Sequence, residues 1–531
     1  MLLTVLWVCV ILAALCIYLR QKDYFSRAGL KTPPYIPVLG NMLPIVFKRE
    51  HFADNVNKSY FGFPEERFIV RYEFTKPLVM IRDIELVKKI TVKDFDYFVD
   101  HRSFDTSSSD PFFGRGLVAL KGQEWRDMRS TLSPAFTSSK IRVMVPFMVE
   151  VGDQMIKALK LQIKECDKDY LDVDAKDLTT RYANDVIASC AFGLKVDSYS
   201  DADNEFYTTA KNTFKFKFSK LLMIMGFMAF PKIMKYFNLS LFTEEAVKFF
   251  RELVLGTMRN REEQNIIRPD MIHLLMEAKK GSLKHENESS KDADAGFATV
   301  EESHVGKKHT DRTWTDDDLI AQAVLFLLGG FETVSSGMSF LLYELAVNPD
   351  VQEKLVQEII ENDAKNGGKF DYNSIQQMTY LDMVVSEMLR RWPPAIALDR
   401  KCVKDYNLGK PNSSATEDFI LRQGTGISIP TWAFHLDPEF FPQPYKFDPE
   451  RFSPENKHQI HPFAYMPFGL GPRNCIGSRF ALCEIKVMAY QLLQHIEISP
   501  GEKTCIPAEL CRDSANVKLK GGHWVRFRIR N

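Results

Sequence analysis

One stretch constrains the fold of this 531-residue chain more than any other, the run from Thr315 to Val347. Thr315 and Asp318 have the spacing of a helix-capping box, and Asp316 and Asp317 put negative charge where a helix end is positive. The residues that follow are mostly apolar, and the run stops at Asn348-Pro349. A helix of about thirty residues spans roughly 45 Å, the width of a whole domain. Glu332, Ser335, Ser336 and Glu344 make it too polar to cross a bilayer, so a central pillar is expected, with other elements packed around it. Apolar residues recur at three-to-four spacing in 123–132, 178–190 and 270–280, the pattern of core-facing helices. Residues 68–74 and 77–81 read as short strands around a turn, and 400–452, rich in Pro, Gly and Asp, as loops and short strands. The expected class is mainly α with a small β-rich region. Residues 281–313 are polar and poor in large apolar groups, which predicts a mobile surface connection inside one large domain covering 46–531.

The first twenty residues differ from the rest. Thr4 is the one clearly polar side chain between Leu2 and Leu19, and Arg20, Lys22 and Arg27 follow. Such a run is just long enough to cross a hydrocarbon core, and its positive flank belongs in the cytosol. It lacks the basic start and small-residue site of a cleaved signal peptide. The expectation is a single-pass anchor over 1–20, then a basic and proline-rich linker over 21–45, stiffened by Thr32-Pro33-Pro34-Tyr35-Ile36-Pro37. Lys+Arg and Asp+Glu balance at 69 each, so bulk charge does not point to nucleic acid. The nine cysteines are scattered without a Cys-x-x-Cys pair, which argues against a disulfide framework or a structural zinc site.

Four constellations carry chemistry. The first is Phe468-Gly469-Leu470-Gly471-Pro472-Arg473-Asn474-Cys475-Ile476-Gly477, a tight loop with a cysteine just before a helical run. Backbone N–H groups and the positive helix end would stabilise a thiolate there, and Gly477 would let a flat ligand approach the backbone. A lone cysteine is also a common buried hydrophobe, and a glycine loop before a helix can cradle phosphate, although Gly-Lys-Ser/Thr is missing. The second is Glu387-Met388-Leu389-Arg390, whose charges share one helix face: an ordinary surface pair, or a buried one, given its apolar neighbours. The third is Gly329-Gly330-Phe331-Glu332-Thr333 in mid-pillar. Two interior helix glycines cost about 1 kcal/mol each relative to alanine, and either helix contact or room for a small ligand would justify them. The fourth is Trp125-Arg126-Asp127-Met128-Arg129, in which Trp125 reads as core and Arg129 as surface.

Together these motifs resemble the cytochrome P-450 family. Its haem-binding signature, Phe-x-x-Gly-x-Arg-x-Cys-x-Gly, is matched at Phe468, Gly471, Arg473, Cys475 and Gly477. The resemblance implies the fold of that family, with haem b (iron protoporphyrin IX) between the pillar and the cysteine loop. It makes Cys475 the axial thiolate that donates electron density to iron, a property established for the family. It also implies Phe468 beside the sulfur, and Arg473, Trp125, Arg129 and Arg400 on the haem propionates. Glu387 and Arg390, joined by Arg451 of Pro449-Glu450-Arg451-Phe452, would form a buried structural network. Thr333 would hydrogen-bond the oxygen being activated and Glu332 would relay protons, though Val334 replaces a second hydroxyl and Ser335 comes one residue later.

The wording of 125–136, 268–271 and 314–318 is similar to the insect microsomal members of the family numbered nine, which are associated with xenobiotic and insecticide metabolism. That implies an endoplasmic reticulum membrane enzyme with its catalytic domain in the cytosol. It would insert one atom of O2 into lipophilic substrates with electrons from NADPH through a reductase, and cytochrome b5 is a second candidate donor. Arg126, Lys140, Arg142, Arg479 and Lys486 are candidate basic contacts for the reductase. Substrate-facing candidates are 101–113, 214–230, 326–333 and 395–398. Three other functions compete: a biosynthetic monooxygenase of hormones or lipids, a haem-thiolate isomerase or dehydratase needing no external electrons, and a non-enzymatic haem sensor or carrier anchored to the membrane. The pair Glu332-Thr333 argues against the isomerase.

Overall fold

The computed structural model describes residues 28–102, 112–214, 242–281, 296–305, 312–368, 370–514 and 516–530, with isolated positions besides. The expected anchor over 1–20 and most of the substrate-facing stretches 101–113 and 214–230 lie outside the described residues. The helices that position the site are α1 (Gly122–Leu132), α2 (Val145–Glu165), α3 (Ala175–Ile187), α4 (Glu244–Gln264), α5 (Met271–Lys279), α6 (Asp316–Val347), α7 (Pro349–Asn366), α8 (Thr379–Arg391) and α9 (Ser478–His495).

The pillar is α6. Thr315 and Asp318 close the capping box, and Asn348-Pro349 ends the helix by starting α7. Every residue from Ser335 to Ala346 is buried, which is why this half is apolar all round rather than on one stripe. Among the described residues α6 is the one helix long and apolar enough to cross a membrane, and it lies instead in the core, against α3, α8 and α9. Its middle, Gly329–Val334, widens into a π-helical turn, a distortion that frees backbone groups and is common at functional sites.

The β structure is small. Strands β1 (Phe68–Glu73) and β2 (Lys76–Ile81) form the expected hairpin, and β3 is Tyr170–Asp174. The loop-rich region supplies β4 (Leu398–Lys401), β5 (Tyr406–Gly409), β6 (Phe419–Leu421) and β7 (Gly426–Ile429), and the C-terminal part adds β8 (Ile496–Ser499) and β9 (Trp524–Ile529). The larger sheet has the order β1-β2-β7-β4, antiparallel except where β2 meets β7. A second sheet runs β3-β9-β8, and β5 pairs with β6. The proline-rich segment is irregular, as expected, and is fastened to β1: Tyr35 stacks on Tyr72 at 4.3 Å, and the Asn41 side chain bonds both Pro34 O and the Tyr72 N–H.

Two expectations need correction. Residues 296–305, inside the stretch expected to be a loose surface connection, are docked on the body. Phe297 packs between Phe452 and Tyr465, Ala298 and Val305 are buried, and Glu302 pairs with Arg129 at 2.6 Å. The segment's composition hides this because a few anchors do the holding. Arg479 and Lys486 are not surface contacts for a partner: α9 is enclosed along most of its length, and Lys486 is buried against Asp382 at 2.9 Å. Arg126 is partly exposed and pairs with the exposed Asp96 at 2.8 Å.

Candidate active site

The cysteine loop is shaped by its glycines and by backbone bonds. Gly471 sits at φ +67°, and a Cβ there would lie 1.8 Å from Thr91 O, so only glycine fits. The Cys475 N–H donates to Phe468 O at 2.8 Å, which folds the loop back on itself, and Gly477 caps α9. A cavity of about 460 Å³ is lined by Phe468, Cys475 and Gly477 of this loop and by Gly329, Gly330 and Thr333 of the π turn. Phe326 from the substrate-facing stretch 326–333, and Ala395 and Leu398 from 395–398, add to a mostly apolar lining. Cys475 faces this internal cavity. Burial pushes its thiol up, against a lowering by the Gly477 N–H and by Arg129. An iron cation on the sulfur would remove the proton outright.

The two pillar glycines have different reasons. A Cβ on Gly330 would meet Ile187 of α3 at 2.6 Å, so this glycine serves helix–helix contact. A Cβ on Gly329 meets nothing within 4 Å, and this glycine leaves open space in the cavity. The Thr333 hydroxyl donates to Gly329 O and lines the same cavity. Glu332 points away from it: Oε1 accepts a bond from Asn516 Nδ2 at 2.9 Å and lies 3.4 Å from Lys176 Nζ.

The expected cations gather at the cavity. Arg473 lies 4.0 Å over the Trp125 ring and donates to the carbonyls of Val99, Leu117 and Leu120. Burial, and then repulsion from Arg400, push its guanidinium down to about 8. Arg400 is buried, lowered to about 10 by desolvation, and its Nε has no hydrogen-bond partner. The nearby carboxylate Asp399 is engaged by His101 Nδ1 at 2.9 Å and by the Arg102 N–H at 2.6 Å. Two buried guanidiniums that repel each other beside an apolar cavity fit a flat apolar ligand carrying carboxylates, as haem does. Arg129 is different: its partners are Glu302 and Asn474, the residue before Cys475. Sequence reasoning passed over Glu302, Asn474, Asp399, Lys176 and Asn516, and none of them carries a local spacing signal.

Below the loop, Glu387 and Arg390 are fully buried and bidentate, at 2.7 and 2.8 Å. Arg451 Nε is looser, 3.6 Å from Glu387 Oε1. Arg390 also donates to His435 O and Pro444 O, and the Asp448 N–H donates to Glu387. The network therefore ties α8 to the irregular chain that leads into the cysteine loop.

The sequence matches the family model for cytochrome P450 over residues 30–523. It is 43% identical over 527 residues to cytochrome P450 9e2 of Blattella germanica, covering 97% of this chain and 96% of that protein. It is 40% identical over 519 residues to probable cytochrome P450 9f2 of Drosophila melanogaster, 96% of each. Probable cytochrome P450 6a13 of the same fly is 38% identical over 526 residues, 98% of each. With this similarity along nearly its whole length, and a cysteine, a distorted pillar and buried arginines around one apolar cavity, the chain belongs to the cytochrome P450 family and is a monooxygenase that uses haem on a cysteine thiolate.

Proposed function

We propose that this enzyme inserts one oxygen atom from O2 into lipophilic compounds, xenobiotics such as insecticides among them, with electrons from NADPH delivered by a reductase. The observation that carries this reading is one mostly apolar cavity shared by Cys475 and the Gly329–Thr333 turn. Cys475 is the proposed axial ligand. Bound there, haem supplies the oxygen-activating chemistry. Arg400 and Arg473 would hold its carboxylates, which would add anions beside two buried guanidiniums; the pair of Arg473 with Asp100 is long, at 3.9 Å, and Trp125 braces Arg473. Arg129, already paired with Glu302, reaches a haem carboxylate only by exchanging partners; otherwise it fixes Asn474 beside Cys475. Thr333 presents its hydroxyl oxygen to the cavity and hands protons inward, and Glu332 brings them from solvent. The apolar lining excludes water and accepts lipophilic substrates. Residues 1–20 are the proposed endoplasmic reticulum anchor and 21–45 the linker, with the domain from 46 onward in the cytosol.

The test is spectroscopic and then kinetic. The reduced carbon monoxide complex should show the thiolate band, and Cys475→Ala should abolish it; an imidazole-type band in the native protein would sink the assignment. With reductase and NADPH, Thr333→Ala should keep haem but divert reducing equivalents to hydrogen peroxide. Unchanged product per NADPH would remove Thr333 from the proton route.

A further inference from the structure

We infer that residues 296–305 form a strap across the cysteine loop, and that Glu302 within it is the positioning residue for Asn474 and, through it, for Cys475. This rests on the proposal that Cys475 is the axial ligand. The strap has an anchor at each end. At the first, Gly296 adopts φ +128°, and a Cβ there would overlap Asp382 Oδ1, so no other residue fits. The Phe297 N–H donates to Asp382 Oδ2 at 2.9 Å, and the same carboxylate holds the buried Lys486 of α9 at 2.9 Å. The Phe297 ring meets Phe452 at 5.1 Å and Tyr465 at 5.4 Å, and Ala298 and Val305 are buried in the main core.

At the second anchor Glu302 closes on Arg129. Oε2 accepts Arg129 Nη2 at 2.6 Å and the Ser133 hydroxyl at 3.1 Å. Arg129 is buried, a buried guanidinium needs a close anion, and among the described residues Glu302 is the carboxylate within ion-pair distance of it. The strap reaches the loop by two routes. Arg129 donates to Asn474 O at 2.8 Å and to Asn474 Oδ1 at 2.6 Å, while Asn474 Nδ2 donates to Glu301 O at 3.1 Å. Of the five N–H groups of a guanidinium, Arg129 commits the one on Nε, both on Nη2 and one on Nη1 to strap and loop. Both ends of the Asn474 amide and its carbonyl are engaged, so the residue bonded to Cys475 turns only if Glu302 releases Arg129. Contacts one shell out from a metal ligand orient it and tune the metal. Glu302 does not line the cavity, so it acts through Arg129, which does.

The experiment compares Glu302→Gln, Glu302→Asp and Phe297→Ala with the haem-loaded native enzyme. Hydrogen exchange of peptides covering 471–477 reads the loop, spectroelectrochemistry reads the iron, and urea unfolding reads stability. Glu302→Gln should speed exchange across 471–477 about tenfold, the loss of about one charge-assisted bond. It should also raise the ratio of reduced to oxidised iron at a fixed potential about tenfold, the scale of one lost negative charge at an effective protein dielectric. Glu302→Asp keeps the charge, so the iron potential should stay native even where loop exchange rises. Phe297→Ala loosens the far anchor and should speed exchange in 296–305 first, and in 471–477 less than Glu302→Gln does. A Glu302→Gln enzyme that loses stability, yet keeps native exchange across 471–477 and a native iron potential, would overturn the inference. Should Glu302→Gln fail to hold haem, Glu302→Asp and Phe297→Ala carry the test, and native exchange across 471–477 in both would overturn it. If Cys475→Ala keeps the thiolate band, the axial-ligand reading fails, and loop exchange in Glu302→Gln still decides whether the strap fixes Asn474.

Discussion

Replacing Glu387 by glutamine removes one charge and almost no volume, which isolates the electrostatics of the buried network. Both partners of the pair are fully buried, and the two Glu387 oxygens accept three bonds: from Arg390 Nε and Nη2, and from the Asp448 N–H at 2.9 Å. Glutamine keeps one acceptor and turns the other into a donor. Whichever way the amide is placed, an N–H faces an N–H, and the Arg390 guanidinium remains buried without an anion. Charge-assisted bonds are worth about 1.5–3 kcal/mol each, and stranding one member of a buried pair costs about 3–5 kcal/mol. That is a large share of the roughly 5–15 kcal/mol that holds a native protein together. Urea unfolding followed by near-ultraviolet dichroism and by the thiolate haem spectrum gives the number. The molecules that remain folded should turn over normally, since Glu387 does not line the cavity. Glu387→Met/Arg390→Met should lose less than Glu387→Gln, because the fully buried Arg390 charge leaves with its anion, although Arg451 loses the carboxylate 3.6 Å away and the carbonyls of His435 and Pro444 lose a donor. A loss below about 1 kcal/mol for Glu387→Gln would refute the reasoning.

The two pillar glycines should respond in opposite ways. Gly330→Ala forces its methyl onto Ile187 and should destabilise by about 1–3 kcal/mol. Gly329→Ala has room and should leave stability equal or up to about 1 kcal/mol higher, while the added methyl in the cavity weakens binding of bulky ligands in a titration of the haem spectrum. Acid should weaken the fold through two buried histidines. His435 accepts the Met466 N–H at 2.9 Å and is held to about 3 by burial and then by Arg390; His523 is lowered to about 3 by burial and then by Lys176 and Lys518. Both are neutral when folded, so the unfolded chain takes up their protons first. Stability is full above pH 6.5 and falls as pH drops from there toward 3, by about 2 kcal/mol per histidine at pH 5. His435→Gln should flatten the change in unfolding free energy between pH 7 and pH 5; an unaltered slope would count against the account.

The pillar was legible because the capping box, the apolar run and Asn348-Pro349 are all local signals, as were the hairpin of β1 and β2 and the pairing of Glu387 with Arg390. The role of Arg129 was not, because its partner Glu302 lies 173 residues away in a stretch whose composition looks solvated. Burial of Arg479 and Lys486 was hidden for a related reason: a charged residue on a helix looks solvent-facing until its counter-ion from another element is known, here Asp382 for Lys486. The two readings of Gly329-Gly330 could not be separated without α3, since one glycine meets Ile187 and the other faces the cavity. The outward turn of Glu332 depends on Lys176 and Asn516, which lie far before and far after it in the chain.

The Arg473 contacts bear on how the protein is made. Its guanidinium closes onto Val99 and Leu120, 374 and 353 residues upstream, and Arg129 closes onto Asn474 across 345 residues. Chains emerge from the ribosome N-terminal end first, so α1 and the strands of the hairpin exist long before the segment that completes the site. Loop closure over such spans comes late in folding. Capture of haem therefore follows release of nearly the whole chain, and a nascent protein stalled before residue 471 carries Trp125, Arg129 and Thr333 with no cysteine loop to meet them.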